Sequence, residues 1–211
     1  MMKKGRVSEA VVRRIPKYYR YLKFLEKNGI ERISSLELSR KMGFNASQIR
    51  QDFNCFGGFG QQGYGYHVPS LRRELGSILG LDQKYRMAVV GVGNIGQALA
   101  GYANFIKEGF IVAALFDANP KIIGSVINGC EVMDIKRLEE VVSSLNIHIG
   151  VIATPAVSAA DVASRLSKCG VKAIWNFAPI DVGGDDAIVE NVHLSDGLYV
   201  LSYRMNADKQ E

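Results

Sequence analysis

Cysteine and histidine are scarce in this chain, with three of each among 211 residues. Cys55, Cys130 and Cys169 are odd in number and widely spaced, with no C-x-x-C among them. That excludes a disulfide framework and a thiolate metal site, and the three read as reduced structural thiols with no metal expected. Long apolar runs are also missing. Nothing approaches the ~20 residues of a membrane-spanning helix, and the basic start lacks the apolar core of a signal peptide. A cytoplasmic protein with no membrane partner is the expectation.

Acidic residues are scarce in one part only. Residues 1–80 carry 15 Lys/Arg against 6 Asp/Glu, whereas residues 81–211 carry 11 against 15, and the whole chain has a net charge of +5. Two segments of opposite balance suggest two domains, the first with an anionic partner. A basic face kept merely for solubility fits that composition equally well. The rest is ordinary: 47% hydrophobic and 22% charged residues describe a globular protein long enough to bury a core.

Residues 1–8 read as a mobile basic tail. Val12, Ile15, Tyr19, Leu22 and Leu25 then recur at helical spacing. Pro16 divides this pattern into a short segment and a main helix over 17–28, stopped at Gly29. Ser34 caps a second helix ending near Met42-Gly43, and Asn45 caps a third over 46–55. Two short helices joined by a glycine-containing turn form a helix-turn-helix pattern, whose second helix enters the DNA major groove. Its polar face is Ser47, Gln48, Arg50 and Gln51. Arg14 and Lys17 add positive charge for the same partner. A bundle corner is the plain alternative.

The next segment, FGGFGQQGYGYH over 56–67, interleaves five glycines with aromatics and cannot be a helix interior. It reads as the two-stranded wing of a winged-helix domain. Its tip, with Gly60, Gln61 and Gly63, is slim enough to approach a minor groove. A flexible linker is the competing reading. A helix over 71–79 and a short join over 80–84 follow.

The run MAVVGVGNIGQALA over 87–100 takes an apolar strand through a glycine turn into a helix. Gly91, Gly93 and Gly96 give G-x-G-x-x-G in the strand-to-helix setting of a dinucleotide site, with Val92, Asn94 and Ile95 between them. Gly91 permits the turn, Gly93 admits the diphosphate and Gly96 lets the helix pack on the strand. One helix is expected from there to about Lys107. The following strand ends at Asp117, placed to take ribose hydroxyls, and no arginine beside it would receive a 2′-phosphate. NAD is favoured over NADP. Strands over 127–133, 147–153 and 173–177 alternate with helices over 135–144 and 157–168, so a mostly parallel doubly wound sheet is expected. Thr154-Pro155 and Asn176, Ala178 and Pro179 fall at strand ends beside the glycine turn, as a pocket or simply as proline-terminated strands. The closing helix, 195–207, carries Leu194, Leu198, Leu201 and Met205 on one stripe, which suits a partner subunit or a satellite core contact.

In order and spacing, IPKYYRYLKFL (15–25), RISS (32–35), IRQDFNCF (49–56), GYGY (63–66), GVGNIG (91–96), Phe116-Asp117, Thr154-Pro155 and NFAP (176–179) resemble the Rex family of redox-sensing repressors, over essentially the whole chain. The resemblance implies a winged-helix DNA-binding domain over 1–80 and a Rossmann-like NAD(H)-binding domain over 85–192. It also implies a C-terminal helix over 193–211 exchanged in a homodimer that binds an inverted-repeat operator in double-stranded DNA. Repression of fermentation and respiration genes would be lifted by NADH. Arg50 and Gln51 match the family's reading helix, where a basic residue is more usual at the second position. Tyr102 matches a tyrosine near the nicotinamide. Arg20 matches an arginine that pairs across the dimer with an aspartate, but this chain has His193 there, and Asp196 stands one turn on.

An NAD-dependent dehydrogenase or a CoA-ligase-like nucleotide enzyme is the competing class. A dehydrogenase needs an acid or base beside the nicotinamide. His67 falls in the expected wing and His148 at the start of a buried strand, which leaves only His193. The one Tyr-x-x-x-Lys, Tyr19 to Lys23, precedes the glycine turn. Catalysis is not expected. A basic segment that binds protein rather than DNA is the remaining reading.

Overall fold

Local signals build the first part of the chain. The computed structural model describes residues 7–59 and 64–207, which form two compact units divided between Gln83 and Lys84. Most of the basic tail and the expected wing residues Gly60, Gln61 and Gly63 lie outside the described residues.

The first unit begins with α1 (Glu9–Val12) and α2 (Ile15–Lys27), the latter starting two residues earlier than the proline suggests. Pro16 lies in its first turn, where its missing N–H costs nothing. Then come β1 (Arg32–Ile33), α3 (Ser35–Met42) and α4 (Ala46–Asn54). Ser34 and Glu37 close a full capping box on α3, Gly43 ends it at φ 69°, and Asn45 Oδ1 accepts from the Ser47 amide to start α4. β2 (Tyr66–His67) and α5 (Val68–Ile78) complete the unit.

The expected ribbon takes a different form. Tyr66–His67 pairs antiparallel with Arg32–Ile33, upstream of α3, and residues 57–59 form no strand. Gly65 makes this approach possible, because its φ is +68° and a Cβ there would lie 2.7 Å from the Ile33 carbonyl oxygen. The core joins Ile15, Tyr18 and Leu22 of α2 to Leu38, Ile49, Phe53, Tyr66 and Leu71. Tyr18 and Tyr66 each meet Phe53 edge-on, at 5.0 and 5.1 Å between centroids.

The second unit runs β3 (Tyr85–Val90), α6 (Asn94–Ala100), α7 (Ala103–Lys107), β4 (Phe110–Asp117), β5 (Val126–Ile127) and β6 (Cys130–Asp134). A 3-10 turn (Ile135–Arg137) leads to α8 (Leu138–Ser144), β7 (Ile149–Ile152), α9 (Ala156–Lys168), β8 (Ala173–Asn176), β9 (Ile188–Asn191) and α10 (Asp196–Ala207). The seven-stranded sheet has the order β5-β6-β4-β3-β7-β8-β9, parallel except for the β5–β6 hairpin. Its six parallel strands thus follow the doubly wound dinucleotide-binding order, with the switch point between β3 and β7. Ala88, Val90, Phe116, Ile152 and Ile174 pack under α8 and α9, and Met87, Val89, Leu115 and Val151 fill the opposite face with Leu99 and Phe105.

Three details depart from the sequence reading. The helix after the glycine turn breaks at Gly101-Tyr102, where a Cβ on Gly101 would lie 2.9 Å from Asn128 Nδ2. The strand expected over 127–133 is a hairpin, turned at Asn128-Gly129 with φ 49° and 80°, the pair that two-residue hairpins favour. β9 was not foreseen because it follows β8 through a loop instead of a helix. No residue of α10 is buried: Leu198, Leu201 and Met205 are 66%, 54% and 65% exposed. No helix among the described residues is long and apolar enough to cross a membrane.

Ser34→Ala removes the α3 cap and is expected to destabilise the first unit by about 1 kcal/mol, read as a lower urea midpoint. Glu37 accepts from the Ser34 amide and hydroxyl, and these bonds hold its pKa below the usual carboxylate value. A depressed folded pKa means stability that is complete above the unfolded pKa and lost as the pH falls through the folded one. Glu37→Gln should therefore flatten the acid limb of the first unit's stability.

Candidate functional site

The glycine turn is built by exclusion. Gly91 has φ +90°, and a Cβ there would sit 2.6 Å from the Ala153 carbonyl oxygen. On Gly96 a Cβ would fall 1.9 Å from the Gly91 carbonyl oxygen, so α6 rests directly on the end of β3. Gly93 is the contrast: among the described residues nothing lies within 4 Å of its Cβ position. Two glycines are thus required by the protein's own packing, and the third leaves space that a ligand can enter. The first backbone bond across the start of α6 runs from the Gln97 amide to the Gly93 carbonyl. Amides at Asn94, Ile95 and Gly96 precede it, in the position that receives an anion.

Asp117 ends β4 beside this turn. One carboxylate oxygen accepts from the Val92 amide at 2.7 Å and the other from the Asn119 amide at 2.8 Å. It therefore secures the glycine loop and keeps acceptor capacity for a hydroxyl. Thr154, just after β7, has a buried Oγ1 without a hydrogen-bond partner among the described residues, and its Cγ2 is 3.0 Å from the Gly91 Cβ position. A buried hydroxyl without a partner beside an open glycine cradle fits a polar ligand such as a dinucleotide. Pro155 is exposed at the start of α9.

The other expected pocket residues are placed differently. Asn176 is fully buried: its amide donates to the Ile180 carbonyl and to Asn191 Oδ1, and its Oδ1 accepts from the Ala178 amide. Asn176 and buried Ala178 are thus committed to shaping the loop after β8, with only Pro179 of that group exposed. Tyr102 is not brought to the cradle within one chain. α6 runs back from the turn, so Tyr102 instead borders a cavity of about 190 Å³ with Phe105, Ile106 and the first residues of β4, Phe110–Val112. His193 lies 2.8 Å from Asp181, and Asp196 is exposed at the start of α10.

On the first unit, Arg50 and Gln51 are exposed on α4 and Gln48 is half-buried. Arg50 Nη1 donates to Ser35 Oγ at 3.1 Å, and Ser47 Oγ donates to the capping Asn45. Lys17 lies 5.7 Å from the Phe44 ring centroid, and exposed Arg20 shares a groove with Lys17, Phe24 and Lys41. Arg14 corrects the sequence reading. Its Nε and Nη2 both donate at 2.7 Å to Asp52, which is 2% exposed, and Tyr18 Oη donates to the same carboxylate at 2.7 Å. The carboxylate beside Arg14 raises the guanidinium pKa, and burial followed by the bond to Asp52 raises that of Tyr18. Arg14 is thus held inside the unit instead of presented outward. Asp52 escaped notice although it interrupts the inward stripe Ile49–Phe53, which was the available signal.

Known proteins match along this frame. Residues 6–54 match the family model "Putative DNA-binding protein N-terminus", and residues 82–180 match the CoA binding domain. The redox-sensing transcriptional repressor Rex of Clostridium novyi (strain NT) is 56% identical over 207 residues, covering 98% of this chain and 99% of its own length. The Rex protein of Thermoanaerobacter pseudethanolicus is 53% identical over 210 residues, covering 99% and 94%. The chain belongs to the Rex family of redox-sensing transcriptional repressors. A crystal structure of a Rex-family repressor, RSP, with beta-NAD+ and operator DNA superimposes with a TM-score of 0.92 at 52% identity, covering 98% of this chain and 95% of that one. RSP with beta-NADH gives 0.91 at 49%, covering 98% and 97%. The Rex resemblance drawn from short motifs therefore holds over the full chain, as does the α/β fold with an N-terminal DNA-binding domain.

Two of the three glycines give a direct test. Gly93→Ala should leave the thermal melt within about 0.5 kcal/mol of wild type, because its methyl meets no protein atom, yet weaken dinucleotide binding at least tenfold. Gly96→Ala should lower stability and binding together. Calorimetric titration with NADH alongside melts of both variants distinguishes the two roles.

Proposed function

We propose that this protein is a cytoplasmic homodimer that represses transcription by binding an inverted-repeat operator, and that NADH releases it. The observation that carries the reading is the pairing of a capped helix-turn-helix unit with an open glycine cradle, in a chain whose relative RSP was crystallised with operator DNA and NAD+. Gly91–Gly96 and Thr154 would hold the diphosphate region and Asp117 the adenosine ribose, with Pro155 and Pro179 bordering the pocket. Ser47, Gln48, Arg50 and Gln51 would read the major groove, with Lys17 and the segment at Gly60, Gln61 and Gly63 adding backbone contacts.

The redox preference follows from charge. Oxidised nicotinamide is a cation and the reduced ring is neutral. Apolar walls, such as those at Phe177, Pro155 and Pro179, disfavour the cation and so favour NADH. If NADH prefers a dimer geometry that misplaces the two α4 helices, DNA affinity falls, and by linkage DNA weakens NADH binding by the same factor. The exposed apolar side of α10 suits a helix exchanged with a partner subunit, in which Arg20, His193 and Asp196 would form the switch contact. No catalytic step is proposed. His67 Nδ1 is paired with Ser70, His148 Nδ1 accepts from the Arg86 amide, and His193 is paired with Asp181, so each ring has a local partner.

The decisive measurement is a bandshift titration on a duplex selected from a randomised pool. Saturating NADH should lower DNA affinity by roughly 5–150-fold, the range of typical allosteric couplings, whereas NAD+ should leave it near the ligand-free value. Equal affinity with and without NADH would sink the proposal. Leu198→Asp/Leu201→Asp should shift the protein from dimer to monomer in sedimentation equilibrium.

A further inference from the structure

The carboxylate of Asp52 sits where an apolar side chain is expected. Ile49, Asp52 and Phe53 are the inward residues of α4, and Asp52 is as buried there as its neighbours. Arg14 grips both its oxygens from the α1–α2 junction, and Tyr18 of α2 adds a third bond. Burying two charges recovers little stability compared with well-packed apolar residues, because desolvation offsets the attraction. What three directional bonds do supply is orientation. An apolar contact tolerates a helix rolling about its axis, whereas a bidentate fork does not.

We infer that the Arg14–Asp52–Tyr18 fork is a positioning device for DNA reading, fixing the roll of α4 so that Arg50 and Gln51 on the opposite side meet base edges. The inference rests on α4 being the reading helix. A helix with its side chains is ~10–12 Å across, so a roll of about 15° moves side-chain tips by about 1.5 Å. That is enough to break bidentate base contacts, while phosphate attraction, which acts over longer range, survives. Asp52, Arg14 and Tyr18 are positioning residues that do not touch DNA in this account. Ser35, which accepts from Arg50, refines the aim at the tip.

The test compares two duplexes: one selected by the wild-type protein from a randomised pool, and a shuffled duplex of the same composition. In the full-length R14M/D52L variant, apolar side chains replace the ion pair. Its melting temperature should stay at or above wild type. Its preference for the selected duplex should fall at least tenfold, with the salt dependence of binding to the shuffled duplex unchanged. Y18F removes one bond of three and should lose about threefold of the preference with the fold intact. It serves as the reading if the double variant does not fold. Full discrimination in the double variant, or in Y18F where that stands in, would overturn the inference. So would a fall of about one in the salt slope of R14M with discrimination retained, since that marks Arg14 as a phosphate contact. If the wild-type protein selects no duplex, the DNA reading itself falls, and this inference with it.

Discussion

Gly96 has no room for a side chain, and the sensing end of the molecule depends on that. With the Gly91 carbonyl 1.9 Å from where a Cβ would stand, α6 can begin only by resting on the end of β3. Resting there, it holds its first-turn amides at the carboxyl ends of the strands, beside Thr154 just after β7 and Asp117 of β4. The strand order places β3 and β7 next to each other while their crossovers diverge, so the gap above them is kept open by topology. Gly93 then faces open space, with no atom of the described residues within 4 Å of its Cβ position.

A carboxylate anchors each unit to its working part. Asp117 accepts from the Val92 amide and so ties the glycine loop to the neighbouring strand. Asp52 accepts from Arg14 and Tyr18 and so ties α4 to α2. Both are negative groups held by directional donors, Asp52 by three bonds and Asp117 by two, with acceptor capacity left on Asp117. Asn176 does the same with a neutral amide, bracing the loop after β8 against Asn191. Elements that must present ligand-facing atoms accurately are fixed here by polar bonds, while apolar packing supplies the bulk of the cohesion.

Much of this was legible in the residues. The capping residues Ser34 and Asn45, the Gly43 turn and the three glycines of 91–96 each act through backbone geometry within a few residues, which a linear sequence displays directly. The same holds for the alternation of strand and helix from 85 to 176. Signals that depend on distant partners were harder to read. Arg14 looked like one more exposed cation in a basic segment, because its partner Asp52 is 38 residues away. The family resemblance places Tyr102 near the nicotinamide, but within this chain α6 carries it to a cavity beside the start of β4. β9 lacked the helix that normally announces a parallel neighbour, and Tyr66–His67 found its partner before α3, not within its own glycine-rich segment.

The sequence by itself determined the two-unit organisation, the helix-turn-helix and the dinucleotide turn, because these are written in local spacing and in charge balance, and its motifs in order carry the resemblance to the family. Only the tertiary structure decided which glycines serve packing and which leave room for a ligand. It alone showed that Asn176 braces a loop, and that an arginine in the basic segment is bound inward by a buried aspartate. The physical reason is common to all three. A side chain's role is set by the atoms around it, and for these residues those atoms arrive from strands and helices remote in the chain.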